Sequence, residues 1–116
     1  MSDILTSGED RPEDIIEYGA SPDLGTVLES LYSTIHDRSV HRPADSYTVK
    51  LLEDHEDKLL KKIGEEATEV VMAAKSNDPD QIRYESADLM YPLLVVLHRW
   101  NVTPSALAAE LRSRFT

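Results

Sequence analysis

The chain has no cysteine. Disulfides, thiolate zinc sites and cysteine nucleophiles are therefore excluded. It has no long apolar run. The longest, Leu93 to Leu97, is far short of the roughly 20 residues a membrane span needs. The N-terminal stretch is acidic and lacks the basic, apolar pattern of a signal peptide, so a cytoplasmic protein is expected. Basic charge is also scarce: 12 Lys and Arg stand against 22 Asp and Glu, for a formal net charge of −10. A chain this acidic is a poor binder of nucleic acid or anionic membrane, although a local basic cluster can still hold a phosphorylated small molecule. No Gly-rich phosphate loop of the Walker or Rossmann type is present, and no Gly-x-Ser-x-Gly elbow. Strand-like alternation, internal repeats and low-complexity tracts are absent too.

What remains is helical. At 116 residues the chain suggests one domain. Residues 1–22 hold Gly8, Pro12, Gly19 and Pro22 among acids with little periodicity, and read as a flexible acidic extension, with Ile15 and Ile16 as candidates for docking on the body. Residues 23–116 form the domain. Asp23 is placed to cap a helix with apolar positions Leu24, Val27, Leu28, Leu31 and Ile35, ending near Asp37–Arg38. Residues 39–45 read as a loop around Pro43. Ser46 or Thr48 then caps a helical region, which the charged stretch 53–57 either kinks or breaks. Asp78-Pro79-Asp80-Gln81 is a strong helix start, with Gln81 able to complete a capping box. The helix it opens contains Pro92, which should bend it. From Leu89 onward it is apolar nearly all round, and too few helices are available in one chain to bury it. A helical oligomer is expected, most simply a two-fold homodimer. Thr103-Pro104 opens a last helix. The class is all-α, with four to five helices.

The candidate chemistry lies in Lys61-Lys62-Ile63-Gly64-Glu65-Glu66-Ala67-Thr68-Glu69. Residues three apart share a helix face, so Glu66 and Glu69 point one way, as do Glu85 and Asp88. One such pair alone is usually a solvated surface. The second pair sits at the edge of an apolar helix, where acids need partners. Two antiparallel helices would bring the four carboxylates together, and an all-oxygen set suits Mg²⁺, or Mn²⁺ in its place, better than zinc. A ferritin-like di-iron site needs Glu-x-x-His pairs, and none of His36, His41, His55 and His98 supplies one. Lys62 is either an ion-pair partner of Glu66 or a phosphate ligand. For Lys58 the surface pair is favoured. Arg38, Ser46, Tyr47, Thr48 and Lys50 form a polar, partly basic set suited to phosphate and ribose hydroxyls. For Ser46 and Thr48 the competing reading is capping. Gly64 suggests a close approach to the backbone, by a ligand or at a tight helix crossing.

The Glu65-Glu66-x-x-Glu69 and Glu85-x-x-Asp88 pattern resembles that of the MazG-like all-α nucleoside triphosphate pyrophosphatases. Three segments narrow the resemblance to the phosphoribosyl-ATP pyrophosphatase family: Ser46-Tyr47-Thr48-x-Lys50-Leu51, Lys61 to Ala67, and Glu85-x-Ala87-Asp88-Leu89-x-Tyr91-x-Leu93-Leu94-Val95. The resemblance covers about residues 24–112. The resemblance implies Mg²⁺-dependent hydrolysis of 1-(5-phosphoribosyl)-ATP to phosphoribosyl-AMP and pyrophosphate, the second step of histidine biosynthesis, by a dimer whose helices form composite four-helix-type bundles. It implies Glu66, Glu69, Glu85 and Asp88 as metal ligands, Glu65 as a further ligand or the base that orients water, and Lys62 as the neutraliser of phosphate charge. This chain departs from the family pattern at Pro92, where a histidine is usual, and at His55, where a glycine is usual. With no cysteine and no room for a cyclohydrolase domain, it looks like the stand-alone form. Two other readings stand beside it: a housecleaning nucleoside triphosphate pyrophosphatase, and a non-catalytic helical dimerisation module.

Overall fold

The computed structural model describes residues 23–115, and everything expected of residues 1–22 lies outside them. Five helices follow in order: α1 Leu24–His41, α2 Tyr47–Glu53, α3 Glu56–Lys75, α4 Pro79–Arg99 and α5 Pro104–Phe115. The described residues contain no strand. Each start carries a side-chain cap that supplies an acceptor to an otherwise orphaned backbone N–H. Asp23 accepts from Thr26 at 2.8 Å, Ser46 from Val49 at 3.2 Å, Asp78 from Gln81 at 3.2 Å and Thr103 from Ala106 at 3.1 Å. Ser46, not Thr48, is therefore the cap of α2. The N–H of Thr26 holds the Asp23 carboxyl below the ordinary aspartate range, as expected of an acid at a helix N-terminus.

One helix end departs from the sequence reading, and the choice left open at 53–57 is decided. The first helix runs past Arg38 to His41, because Ser39, Val40 and His41 contain no breaker. It stops only where Arg42 turns left-handed, φ 49°, with its N–H on the Arg38 carbonyl. Pro43 follows, and proline disfavours helical backbone at the residue before it. The charged stretch 53–57 is a break. Asp54 and His55 leave helical geometry, and the His55 ring accepts from the Asp57 N–H at 3.2 Å to start α3. His55 sits at φ −57°, so this turn does not require glycine. Asn77 and Asn101, at φ 56° and 60°, terminate α3 and α4 in the left-handed conformation that asparagine tolerates.

The centre of the fold is α4. It packs along its length against α3, while α1 and α2 lie on its other sides and α5 packs on α1. Ile35, Leu51, Leu59, Leu94 and Val95 form the buried core, with Leu28, Leu31, Tyr32, Leu52, Tyr91, Val96 and Leu97 packed against it. Fully burying each of the larger ones contributes roughly 1.5–3 kcal/mol. Pro92 is buried inside α4, which remains one helix from Pro79 to Arg99. Lacking an N–H, Pro92 leaves the Asp88 carbonyl without its usual donor four residues on.

The chain covers more of α4 than its composition suggests, but not all of it. Met90, Leu93 and Leu97 line one wall of an apolar groove of about 400 Å³, opposite Leu28 of α1 and Leu107 and Leu111 of α5. None of the expected metal ligands lines that groove. A second uncovered surface lies on α3. Leu59, Ile63, Val70 and Ala73 face inward, whereas Leu60, Gly64 and Val71 are exposed at helical spacing, with Met72 beside them. Val71 and Met72 are each 60% exposed. A Cβ at Gly64 would meet nothing within 4 Å, so no helix crossing within the described chain explains this glycine.

Candidate active site

The α3–α4 pairing brings the two acidic segments together. Antiparallel packing sets the inward face of α3 against α4, with Leu59 near Leu94 and Val95 and Glu66 opposite the Glu85–Asp88 turn. Glu66, Glu85 and Asp88 then each place a carboxylate oxygen within 4.8 Å of the others. Among the described residues no other group of three His, Asp or Glu side chains approaches this way. Glu66 and Glu85 are half-buried and Asp88 is exposed, so the cluster has a dry inner side and an open outer one. Glu69, one turn along α3 from Glu66, is exposed and outside the three. Three converging carboxylates repel one another, and their chemistry fits a hard divalent cation bound by oxygen.

Neighbouring side chains orient two of the three. Lys62 sets its ammonium 3.2 Å from the Glu66 carboxylate, with side-chain exposures of 36% and 14%. Glu66 is the main reason that the Lys62 ammonium is held above the ordinary lysine range, and proximity to the Tyr47 phenol adds to it. Lys62 is thus cationic throughout the physiological range, at the rim of the cluster. Gln81 donates to Glu85 at 3.0 Å. The expected capping-box role of Gln81 is corrected by this contact. Asp78 satisfies the Gln81 backbone N–H, and the Gln81 side chain turns up the helix to the carboxylate one turn on. Sequence reasoning gave Gln81 no part in the site. The signal available was its i,i+4 spacing to Glu85.

The remaining expected residues occupy different settings. Glu65 points away from the cluster and lies 4.0 Å from Lys61, as an i,i+4 surface pair. Lys58 pairs likewise with Asp54 at 3.9 Å. Arg38 is half-buried on α1, and among the described residues no ion pair engages its guanidinium. Lys50 is exposed in the last turn of α2. Ser46 is buried with its hydroxyl oxygen occupied as the cap. Thr48 is only 2% exposed, and its hydroxyl is hydrogen-bonded to that of Tyr91 on α4. Tyr47 is 54% exposed and stacks on Tyr91, ring centroids 6.1 Å apart and 28° between planes.

Of the histidines, His41 pairs with Asp37 at 3.0 Å and His55 is a cap. His36 and His98 join α1 to α4 through their rings, Nδ1 to Nε2 at 3.1 Å. His98 also packs its ring on Tyr32. Its Nδ1 is buried without a hydrogen-bond partner. Burial, and then His36, push the His98 pKa down. The tautomer that fits keeps the proton on Nε2, shared with His36, and leaves Nδ1 bare.

Comparison with known proteins agrees with this architecture. The model of the phosphoribosyl-ATP pyrophosphohydrolase family matches residues 28–115, which include every carboxylate of the cluster. The phosphoribosyl-ATP pyrophosphatase of Nitrosomonas eutropha is 49% identical over 89 residues, covering 77% of this chain and 76% of that protein. Its counterpart in Haloarcula marismortui is 43% identical over 96 residues, 81% of this chain and 98% of that protein. The histidine biosynthesis bifunctional protein HisIE of Halalkalibacterium halodurans is 43% identical over 97 residues, 84% of this chain but 46% of the longer relative. Among the described residues no helix is long and apolar enough to cross a membrane. With the family model matched over residues 28–115 and relatives of 43–49% identity covered to three quarters of their length or more, this chain belongs to the phosphoribosyl-ATP pyrophosphohydrolase family.

Proposed function

We propose that the chain hydrolyses the α–β phosphoanhydride of 1-(5-phosphoribosyl)-ATP, giving phosphoribosyl-AMP and pyrophosphate for histidine biosynthesis in the cytoplasm. The convergence of Glu66, Glu85 and Asp88 from two helices carries this reading, on a chain of that family. These three would hold Mg²⁺, or Mn²⁺ in its place. Glu69 shares the α3 face of Glu66, and its exposed side chain is free to swing into the set. Bound there, the cation would supply positive charge to phosphate oxygens and acidify water.

The chain's own groups do the rest. Lys62 offers a fixed positive charge at the rim of the cluster, where a polyphosphate loses the least by leaving water. Arg38 and Lys50 are cations without an ion-pair partner among the described residues, and suit the phosphoribosyl end. A carboxylate of the site accepts a proton from water as its oxygen adds to the α-phosphorus. The bond to the bridging oxygen breaks, and pyrophosphate leaves with the electron pair. Glu65 and Glu66 each hold a lysine, Lys61 at 4.0 Å and Lys62 at 3.2 Å, so either acid would release an ion pair to take the proton.

The uncovered apolar surfaces support a two-fold dimer. Leu60, Gly64 and Val71 on α3 and the groove between α1, α4 and α5 are left open, as surfaces that a second copy of the chain would cover. The reading is tested by offering phosphoribosyl-ATP beside plain and damaged nucleoside triphosphates at equal concentration. Preference of at least tenfold in kcat/KM for phosphoribosyl-ATP is expected. Equal turnover of ATP or a deaminated triphosphate would assign the chain to housecleaning.

A further inference from the structure

Thr48 is one of two buried polar residues among those described, and the more deeply buried. Its hydroxyl has a single side-chain partner, the hydroxyl of Tyr91, 43 residues away. Tyr91 stands three residues after Asp88 on α4, so it shares the helix face that carries Asp88. Tyr47, the neighbour of Thr48 in the first turn of α2, lies with its ring against Tyr91. The outer part of that ring is open. One connected set of side chains therefore runs from the carboxylate helix through Tyr91 to Thr48 and Tyr47 at the start of α2. The helix it anchors has only 7 residues, so tertiary contacts set its place: Leu51 buries its last turns in the core, and this tie fixes its first turn.

We propose that Thr48 and Tyr91 are positioning residues for nucleotide binding: their part-buried hydroxyl pair fixes the first turn of α2 on α4, so that Tyr47, stacked on Tyr91 one turn from Asp88, stands as a wall of the substrate site. The proposal rests on the hydrolytic reading of the carboxylate cluster. Thr48 then acts through Tyr47 and does not itself contact substrate. Glu66, Glu85 and Asp88 are set by the α3–α4 pairing and Gln81, so loss of the tie leaves the metal site in place.

The test is steady-state release of pyrophosphate from phosphoribosyl-ATP by the full chain, with Mg²⁺ varied, in Thr48→Val, Tyr91→Phe, the double variant and Thr48→Ser. Both single variants keep the shape of the side chain, and thermal melts confirm that each is folded. KM is expected to rise about five- to tenfold in each, the scale of one net hydrogen bond. The kcat and the Mg²⁺ activation constant should stay within about twofold, since the carboxylates are untouched. The double variant should be no worse than either single one, because both break the same bond. Thr48→Ser keeps the hydroxyl and should restore KM. An unchanged KM with a lower melting temperature reduces the pair to packing and overturns the proposal. So does a fall in kcat or Mg²⁺ response at constant KM, an additive double variant, or failure of serine to rescue. A wild type that releases no pyrophosphate overturns the hydrolytic reading and this assignment together, whereas an active wild type with indifferent variants overturns the assignment alone.

Discussion

Replacing Glu85 by glutamine should make the metal-free protein more stable while abolishing its response to metal. The three carboxylate oxygens lie within 4.8 Å of one another, so each ionised pair repels by at least about 0.9 kcal/mol at the dielectric of water. Asp88 is exposed, which makes the water value the appropriate lower bound. Screening at about 0.15 M salt, with a Debye length of about 8 Å, reduces each pair to roughly 0.5 kcal/mol. Glu85→Gln removes two of the three pairs, a gain of about 1 kcal/mol. The amide oxygen still accepts from Gln81, so the local hydrogen bond survives. For a domain of this size about 1 kcal/mol corresponds to roughly 4–8 °C in Tm. With excess Mg²⁺ the wild type should rise in Tm, because ligand that binds only the folded state stabilises it by mass action. The variant should not. Differential scanning fluorimetry in chelator and in Mg²⁺ measures all four values. A variant less stable than wild type in chelator, or a wild type whose Tm ignores Mg²⁺, would refute the claim that these carboxylates are a strained cation site.

Three further outcomes follow from individual contacts. Lys62→Met should raise KM for phosphoribosyl-ATP about tenfold or more while Tm moves little, since an i,i+4 pair contributes only ~0.3–0.5 kcal/mol; steady-state kinetics and a melt separate the two. Ser46→Ala should lower stability by about 1 kcal/mol through loss of the α2 cap, read by urea denaturation. His98 is held below its ordinary pKa of 6.5, so the unfolded chain takes up the proton first and protonation favours unfolding. Its contribution is intact above pH 6.5 and is lost as pH falls through the lower folded value. Melts between pH 8 and 5 should therefore show a steeper loss below pH 6.5 in the wild type than in His98→Gln.

What the sequence made legible was local. Asp23, Asp78-Pro79 and Thr103-Pro104 announce their helices because a cap and the N–H it receives lie within three residues. The charged stretch 53–57 announces a break for a similar reason. The end of α1 was not legible, since nothing in Arg42 marks it for left-handed backbone, and only Pro43 hints at the stop. The three-residue spacing in Glu66–Glu69 and Glu85–Asp88 identified the two faces that meet. It did not tell which rotamers converge, because the departure of Glu69 and the turn of Gln81 toward Glu85 depend on the partner helix. The Thr48–Tyr91 and His36–His98 links were invisible, as they join residues 43 and 62 apart with no pattern connecting them. Gly64 is the reverse case. Its position beside the acids was conspicuous, and the open space around it moves its explanation from this chain to whatever packs on α3.

The central claim is that Glu66, Glu85 and Asp88 make this helical chain a metal-dependent hydrolase of phosphoribosyl-ATP. The most direct measurement is pyrophosphate release from that nucleotide by wild type and Asp88→Asn, in Mg²⁺ and in chelator. The account predicts release by the wild type in Mg²⁺ alone, and loss of nearly all of it in a folded Asp88→Asn. Release that persists in chelator, or in the variant at the wild-type rate, would contradict it.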